Sequence, residues 1–352
     1  MFRIIKKPEL SPFRAAVAQI LAIIASLFAV ALVVWALGYS PVEFYQKLIE
    51  GTFGTASRRI FVVQKAIPLC ILSLGTLVAF KMKFWNIGAE GQMCMGAFGA
   101  AYVGFMFYNL PAEILLPLMA AAGLICGAIW ALIPALLKVR FGTNETLVTL
   151  MLNYVALGWI TYLQYGPWRY DGRTPKIANF EENAVLPKVF DVHIGWIIAL
   201  VLVVALYILI SRTKFGYEIS VLGESPATAK YAGINVKRTI VIAIMISGAL
   251  CGLAGMIQAS AIEKTLNDQI TGGLGFTAVI TTYLARLSPP AVVLTSLLYA
   301  ILLVGGNFLA TEMGIPVTLV YALQAVIIFF VLASEFFLNY KIALRAKKGG
   351  KR

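Results

Sequence analysis

Between Ala15 and Leu37 the chain runs without a single charged residue, and Pro316–Ala333 is a second such stretch. The hydrocarbon core of a bilayer is about 30 Å thick and takes about 20 apolar residues as a helix. Every backbone N–H and C=O inside it must be satisfied within the protein, so only helices and closed barrels cross. These runs are continuous rather than alternating in polarity, which points to helices and away from barrel strands. Spans are expected at roughly Ala15–Leu37, Ile60–Phe80, a third ending near Tyr108, Glu113–Leu137, Glu145–Leu163, a sixth ending at Ser211, Thr239–Ala259, Thr277–Leu287, Pro290–Phe308 and Pro316–Leu338. The expected fold class is all-α integral membrane, with about ten transmembrane helices. The third and eighth spans are the shortest and are expected to be re-entrant or broken. The first run is too long for a cleavable signal peptide and lacks a small-residue cleavage site, so it is expected to stay as a span.

Composition agrees: 60% of residues are hydrophobic and 13% charged, with mean hydropathy +0.86. Soluble domains carry about a quarter charged residues. The net charge of +13 would suit a nucleic-acid binder, but the placement of the charges argues against one. With the N-terminus inside, the inner segments collect Arg3, Lys6, Lys7 and Arg14, then Lys81 and Lys83, Lys138 and Arg140, and Arg212 and Lys214. Lys230, Lys237, Arg238, Arg286 and a C-terminal tail from Lys341 to Arg352 complete the set. The outer segments hold most of the acids. The positive-inside rule accepts this topology and rejects its inverse. Residues 1–352 are then one transmembrane domain, with inner tails at 1–14 and 339–352, an external loop at 164–192 and an inner loop at 212–238.

That inner loop contains a short helix with its own start and stop: Gly223, Glu224, Ser225, Pro226, Ala227, Thr228, Ala229, Lys230, Tyr231, Ala232, Gly233 and Ile234. Ser225 can cap it, Pro226 suits the first helical position, and Gly233 can close it in the left-handed conformation. A helix of about two turns is not stable alone in water. Its neighbours, or something that docks on it, must hold it.

Two glycine-rich breaks precede helices: Asn86–Gln92 after the second span, and Thr271–Phe276 after the seventh. Their spacing makes spans 2–5 and 7–10 oppositely oriented copies. Interrupted helices in matching positions of inverted halves point to a transport pathway. Polar residues at membrane depth line cavities or pair with one another. Those that stand out are Asn86, Glu90 and Gln92 at the first break, Asn144, Glu145 and Asn153 at the fifth span, and Asn307 and Gln324 further on; Phe276 and Thr277 at the second break join all of these but Gln324 as expected pathway residues.

Glu90 needs donors, which the helix it opens can supply. It either caps that broken helix or contacts substrate. Glu145 reads first as a first-turn cap. Asn153 and Asn307 could equally be interhelical hydrogen bonds. The run Ser247–Gly255 has small residues at helix-packing spacing. Phe84, Trp85, Phe98 and Phe276 could stack on a flat ligand, although Trp85 reads better as an interface anchor.

Cys70, Cys94, Cys126 and Cys251 all lie in apolar segments without metal spacing and read as small buried hydrophobes. His193 is the only histidine, so no histidine cluster for metal or catalysis is available. No phosphate-binding loop, nucleophile elbow, zinc signature or dinucleotide fingerprint occurs, so the chain reads as no enzyme and should not hydrolyse ATP alone. Two classes remain: a transport subunit driven by a partner, and a stand-alone channel or facilitator.

Phe84-Trp85-Asn86-Ile87-Gly88-Ala89-Glu90-Gly91-Gln92 resembles the F-N-I-G-x-E-G-Q motif of ABC importer permeases of the branched-chain amino acid, simple-sugar and nucleoside group. Gly142–Leu147 and Thr149–Tyr154 are similar to the G-x-N-E and T-x-M-L-N-Y patterns of its nucleoside and simple-sugar branch. Thr213–Gly216, Gly223–Ile234 and Ser247–Gly255 look like that group's cytoplasmic loop and next helix, and Gly273–Thr277 fits its late Gly-x-Gly-Phe break. Trp85 keeps an aromatic where the pattern often has Phe, and Ser225 keeps a cap where it often has Asn.

The resemblance implies a ten-span permease of the vitamin B12 importer kind in a bacterial inner (cytoplasmic) membrane, both termini cytoplasmic. It implies a second permease chain, identical or paralogous, over cytoplasmic ATP-binding subunits that hold ATP and Mg, with no cofactor in this chain. A substrate-binding protein would dock on the outer face. The coupling helix maps onto Ser225–Gly233. The implied substrate is a nucleoside, with simple sugars as the alternative.

Overall fold

The computed structural model describes residues 2–6, 12–170 and 174–344, and only the backbone for 2–6, 12–20, 328, 331–332 and 335–344. Lys7, residues 171–173 of the long loop and the basic run 345–352 lie outside the described residues.

Among the described residues thirteen α-helices follow in order: α1 (Pro12–Ala36), α2 (Pro41–Phe53), α3 (Ala56–Lys81), α4 (Ala89–Met106), α5 (Ala112–Phe141), α6 (Glu145–Tyr165), α7 (Gly195–Arg212), α8 (Lys214–Glu224), α9 (Pro226–Tyr231), α10 (Val236–Ile257), α11 (Leu274–Leu284), α12 (Pro289–Met313) and α13 (Val317–Asn339). A π-helical turn, Gln258–Glu263, continues α10. Strand β1 (Phe2–Lys6) pairs antiparallel with β4 (Tyr340–Leu344), and β2 (Lys188–Val189) with β3 (Val192–His193) in the long loop. The β1–β4 pair lies in segments expected to be plain tails.

Each expected span coincides with a helix. Among the described residues six are long and apolar enough to cross a membrane: α3, α5, α6, α7, α10 with its π-helical turn, and α12. Leu21–Ala36 and Pro41–Phe53, bent by 118°, would together make a seventh. Helix α4 falls short because Glu90 and Gln92 stand in its first turn. Helix α11 has 11 residues, or about 16 Å of rise, too little to cross a core of about 30 Å. These are the third and eighth spans, whose shortness the sequence already marked.

The chain divides into two compact units, Met1–Arg58 with Leu302–Arg352, and Arg59–Ile301. In the first, Val30, Val34, Phe44, Leu309, Ala310, Val320 and Leu323 form a buried cluster. Gln324 donates to the Leu302 carbonyl at 2.6 Å, and Asn307 is exposed and accepts from the Tyr321 hydroxyl at 3.4 Å.

In the second unit α10 lies against α4 and α5. Small residues make this possible, as the run Ser247–Gly255 suggested. A Cβ on Gly252 would come within 2.1 Å of the Gly123 carbonyl oxygen of α5, and one on Gly96 of α4 within 2.2 Å of the Gly252 Cα. Hydroxyls fasten α11 to α3: Ser73 Oγ meets Thr281 Oγ1 at 2.5 Å, and Thr76 Oγ1 meets Thr282 Oγ1 at 2.6 Å.

Candidate functional site at the helix breaks

The first break leaves backbone groups without helical partners, and polar side chains supply them. Asn86 and Gln92, both buried, form a reciprocal amide pair at 3.2 and 3.1 Å. Asn86 also accepts from the Gly88 N–H at 3.0 Å and donates to Ser247 Oγ at 3.1 Å. From α6, Thr149 Oγ1 accepts the Ile87 N–H at 3.2 Å. Asn153 accepts the Gly91 N–H at 2.9 Å and donates to the Ile87 carbonyl at 2.8 Å. Irregular backbone at membrane depth is tolerated where protein groups satisfy it in this way. Asn86, Gln92 and Asn153 therefore build the break, and Asn153 makes the interhelical bonds that its sequence reading left open.

The second break ends in Gly273, which caps α11 at φ +79° with no side-chain hydrogen bond. Glu90 fills this role from α4. Its carboxylate accepts the Gly275 N–H at 2.7 Å and the Gly273 N–H at 3.1 Å, with the Thr271 hydroxyl and the Phe276 N–H completing the cage. The donors come from α11 and not, as the sequence suggested, from the helix that Glu90 opens. The reason is electrostatic. Two helix N-termini, each equivalent to about half a positive charge, are brought face to face, and one buried carboxylate offsets both. Two breaks expected on opposite sides of the membrane thus meet.

Thr277 is buried; its hydroxyl donates to the Gly273 carbonyl at 3.0 Å and lies 3.2 Å from Tyr299 Oη, which can donate to it. Phe276 is partly exposed. Trp85, also half-exposed, stacks on Tyr283 of α11 with centroids 5.7 Å apart.

Asn144 and Glu145 stand apart from this cluster. Asn144 caps α6 through the Leu147 N–H at 3.2 Å. Glu145 pairs with Lys138 at 2.7 Å, and both line a cavity of about 450 Å³ with Met82, Lys83, Gly223 and Pro226. Asn307 belongs to the other unit.

The same cavity borders the short helix. Ser225 accepts the Thr228 N–H at 3.3 Å and caps α9, with Pro226 at the first position. Gly233 has φ +73°, and the Ile234 N–H reaches back to the Ala229 carbonyl at 3.0 Å, which closes the helix as expected. Gly223 and Glu224 differ from expectation: they end α8, because Ser225 turns extended and resets the chain. Ala229 is buried beneath α9, whereas Tyr231 is 95% exposed. Gly223 allows α8 to touch the end of α3, just before the first break, since a Cβ there would lie 2.3 Å from the Lys81 carbonyl oxygen.

On the far side of α10, the long loop is bonded to the segment entering the second break. Ser260 Oγ donates to the Ala184 carbonyl at 2.6 Å, the Phe180 N–H to Lys264 O at 2.9 Å, and the Asp268 N–H to Gln164 Oε1 at 2.8 Å. Sequence reasoning missed these bonds and the Ser73/Thr76–Thr281/Thr282 ladder, whose only signal was a pair of hydroxyls three residues apart on α3 and an adjacent pair on α11.

Residues 59–332 match the family described as branched-chain amino acid transport system / permease component. The glucose ABC transporter permease protein TsgB13 of Haloferax volcanii is 32% identical over 94% of this chain and 90% of its own length. The guanosine ABC transporter permease protein NupP of Bacillus subtilis is 32% identical over 94% and 96%. The nucleoside ABC transporter permease protein NupB of Lactococcus lactis is 29% identical over 90% and 91%. With a helical membrane fold, paired helix breaks and this match over most of its length, the chain belongs to the family of branched-chain amino acid transport system permease components.

Proposed function

We propose that the chain is the membrane-spanning permease of an ATP-driven nucleoside importer. The observation that carries the mechanism is the close approach of Gly223 in α8 to Lys81, the last residue of α3, which leads into the first break. Cytoplasmic subunits that bind ATP and Mg dock on α9, where the exposed Tyr231 offers an aromatic anchor of the kind that dominates interfaces. Their closure displaces α9 and α8, and α8 bears on the first break. Glu90 carries the displacement to α11, so both breaks respond together. Coupling of distant sites needs such an element with two packings. A second permease chain completes the pathway, and a binding protein on the outer face docks on the 164–192 loop, whose hairpin tip Phe190 is 87% exposed. The protein sits in a bacterial inner membrane with both termini in the cytoplasm.

Similarity to NupB and NupP supports nucleosides, and similarity to TsgB13 supports glucose or another simple sugar as the second reading. The deciding experiment reconstitutes the chain with its ATP-binding and substrate-binding partners in liposomes and measures uptake of labelled guanosine, adenosine and glucose. ATP-dependent nucleoside uptake is expected. Uptake of glucose alone would transfer the reading to sugars, and flux from the purified chain without ATP would remove the importer reading.

A further inference from the structure

Between the first turns of α8 and α10 lies a cavity of about 400 Å³. Lys214, Phe215 and Glu218 line it from α8, and Arg238, Thr239 and Ile242 from α10. Gly233, which closes α9, also lines it.

Its charged groups are unequally satisfied. Glu218 accepts from the Thr239 hydroxyl at 3.2 Å and lies 4.0 Å from Lys214 Nζ. The Lys214 side chain is 90% exposed, so that ion pair is weak. The Arg238 guanidinium has no hydrogen bond or ion pair among the described residues; only its backbone N–H is used, by the Asn235 cap. Two cations against one carboxylate leave a single net positive charge on the walls. A guanidinium presents its N–H groups as a fork that matches the oxygens of a phosphate.

The flanking spans set the depth of the cavity. Helix α7 is long and apolar enough to cross a membrane and ends at Arg212, just before Lys214. Helix α10, with its π-helical turn, is another such helix, and Arg238 stands in its first turn. Both cations are thus at the membrane boundary. Ile242 follows Arg238 by one helical turn, about 6 Å further in. A charged level above an apolar one is the order in which a phospholipid carries its phosphate and its acyl chains. Basic pockets between spans on the cytoplasmic side suit anionic head groups. The positive-inside rule accounts for Arg212, Lys230 and Lys237, which are exposed and do not line the cavity. It does not account for an unpartnered guanidinium on a concave wall over an apolar floor.

We propose that this cavity binds the phosphodiester of an anionic phospholipid of the inner leaflet, with Arg238 as the forked ligand and Lys214 beside it. A monoanionic phosphodiester matches the single net charge, whereas a polyphosphate would bring excess negative charge to Glu218. The bound lipid bridges α8 and α10 and so braces the two helices that flank α9. The site rests on the inner placement of the 212–238 loop given above and is independent of the substrate.

The test takes the delipidated full-length chain in detergent and adds dihexanoylphosphatidylglycerol, dihexanoylphosphatidylcholine or inorganic phosphate. Bound lipid is followed by native mass spectrometry and stability by the melting temperature. Saturable binding and a raised melting temperature are expected with phosphatidylglycerol alone. Arg238→Gln should weaken that binding about tenfold. Lys214→Gln should weaken it less, and Lys237→Gln, which removes a neighbouring cation outside the cavity, should leave it unchanged. Equal binding of the two lipids overturns the anionic head group. Equal weakening by Arg238→Gln and Lys237→Gln overturns the cavity in favour of diffuse surface charge. Inorganic phosphate bound with the same dependence on Arg238 gives the cavity to a free anion, and displacement of the lipid by the ATP-binding subunits gives it to a protein interface; either overturns the lipid. Labelling of Lys237→Cys by a membrane-impermeant maleimide from outside intact cells would overturn the inner placement of the loop and the leaflet with it, whereas binding blind to the head group sinks the lipid and leaves that placement standing.

Discussion

Glu90 is a buried carboxylate whose hydrogen-bond partners lie at the second break and the start of α11. Glu90→Ala would leave the Gly273 and Gly275 N–H groups unpaired and two helix N-termini without a counter-charge. Unpaired buried donors cost about 1–3 kcal/mol. Glu90→Gln keeps the volume and one acceptor oxygen but turns an amide NH₂ toward backbone donors. Both variants should lower the melting temperature of the detergent-purified protein, the alanine more; an unchanged melting temperature in both would remove Glu90 as the joint. His193 offers a second residue-scale test outside the membrane spans. Burial lowers its pKa below the ordinary 6.5, against a weaker opposing hydrogen bond to the Gln64 carbonyl. A folded pKa below the unfolded one means that the unfolded chain takes up the proton first. Stability is therefore complete above pH 6.5 and declines as pH falls through that value toward the folded pKa. In His193→Gln this share of the pH dependence should vanish from thermal melts taken between about pH 7.5 and 5.

Helix α9 shows which elements local sequence specifies. Ser225, Pro226 and Gly233 act within a few residues of themselves, so both helix ends were legible, whereas the cap of α6 was expected at Glu145 and is made by its neighbour Asn144. Gly223 and Glu224 were misassigned because nothing in their own chemistry reveals that Ser225 turns extended. The partner of Glu90 was out of reach for another reason: it lies 183 residues away, and only tertiary packing chooses between two helix N-termini as the donor. The contacts of the Phe98 ring with Trp159 and Trp168 were out of reach too, since stacking geometry is absent from spacing. Gly233 carries the prediction for this scale. Its φ of +73° disfavours any β-branched side chain. Gly233→Val should therefore fray the end of α9 while the spans stay folded. In the reconstituted transporter, ATP hydrolysis should continue and uptake should fall. Uptake and substrate-stimulated hydrolysis both at wild-type level would contradict a coupling role.

Across the molecule, the polar break and short helix that follow α3 recur after α10, and the two breaks touch through one carboxylate. Helix α10 rests against α4 and α5 through glycine contacts too close for a side chain. The long loop between α6 and α7 is held by hydrogen bonds to residues 260–268. These bonds join stretches far apart in sequence and do not depend on the peptide link at the loop's exposed tip. Phe190 and Asp191 occupy that tip, both with positive φ. A gene interrupted between these two codons should therefore still yield a transporter when both fragments are made in one cell. Residues 1–190 and 191–352 should co-purify through a tag on either piece, and failure of the fragments to find each other would mean that covalent continuity, rather than packing, guides the assembly of α10 onto α4 and α5.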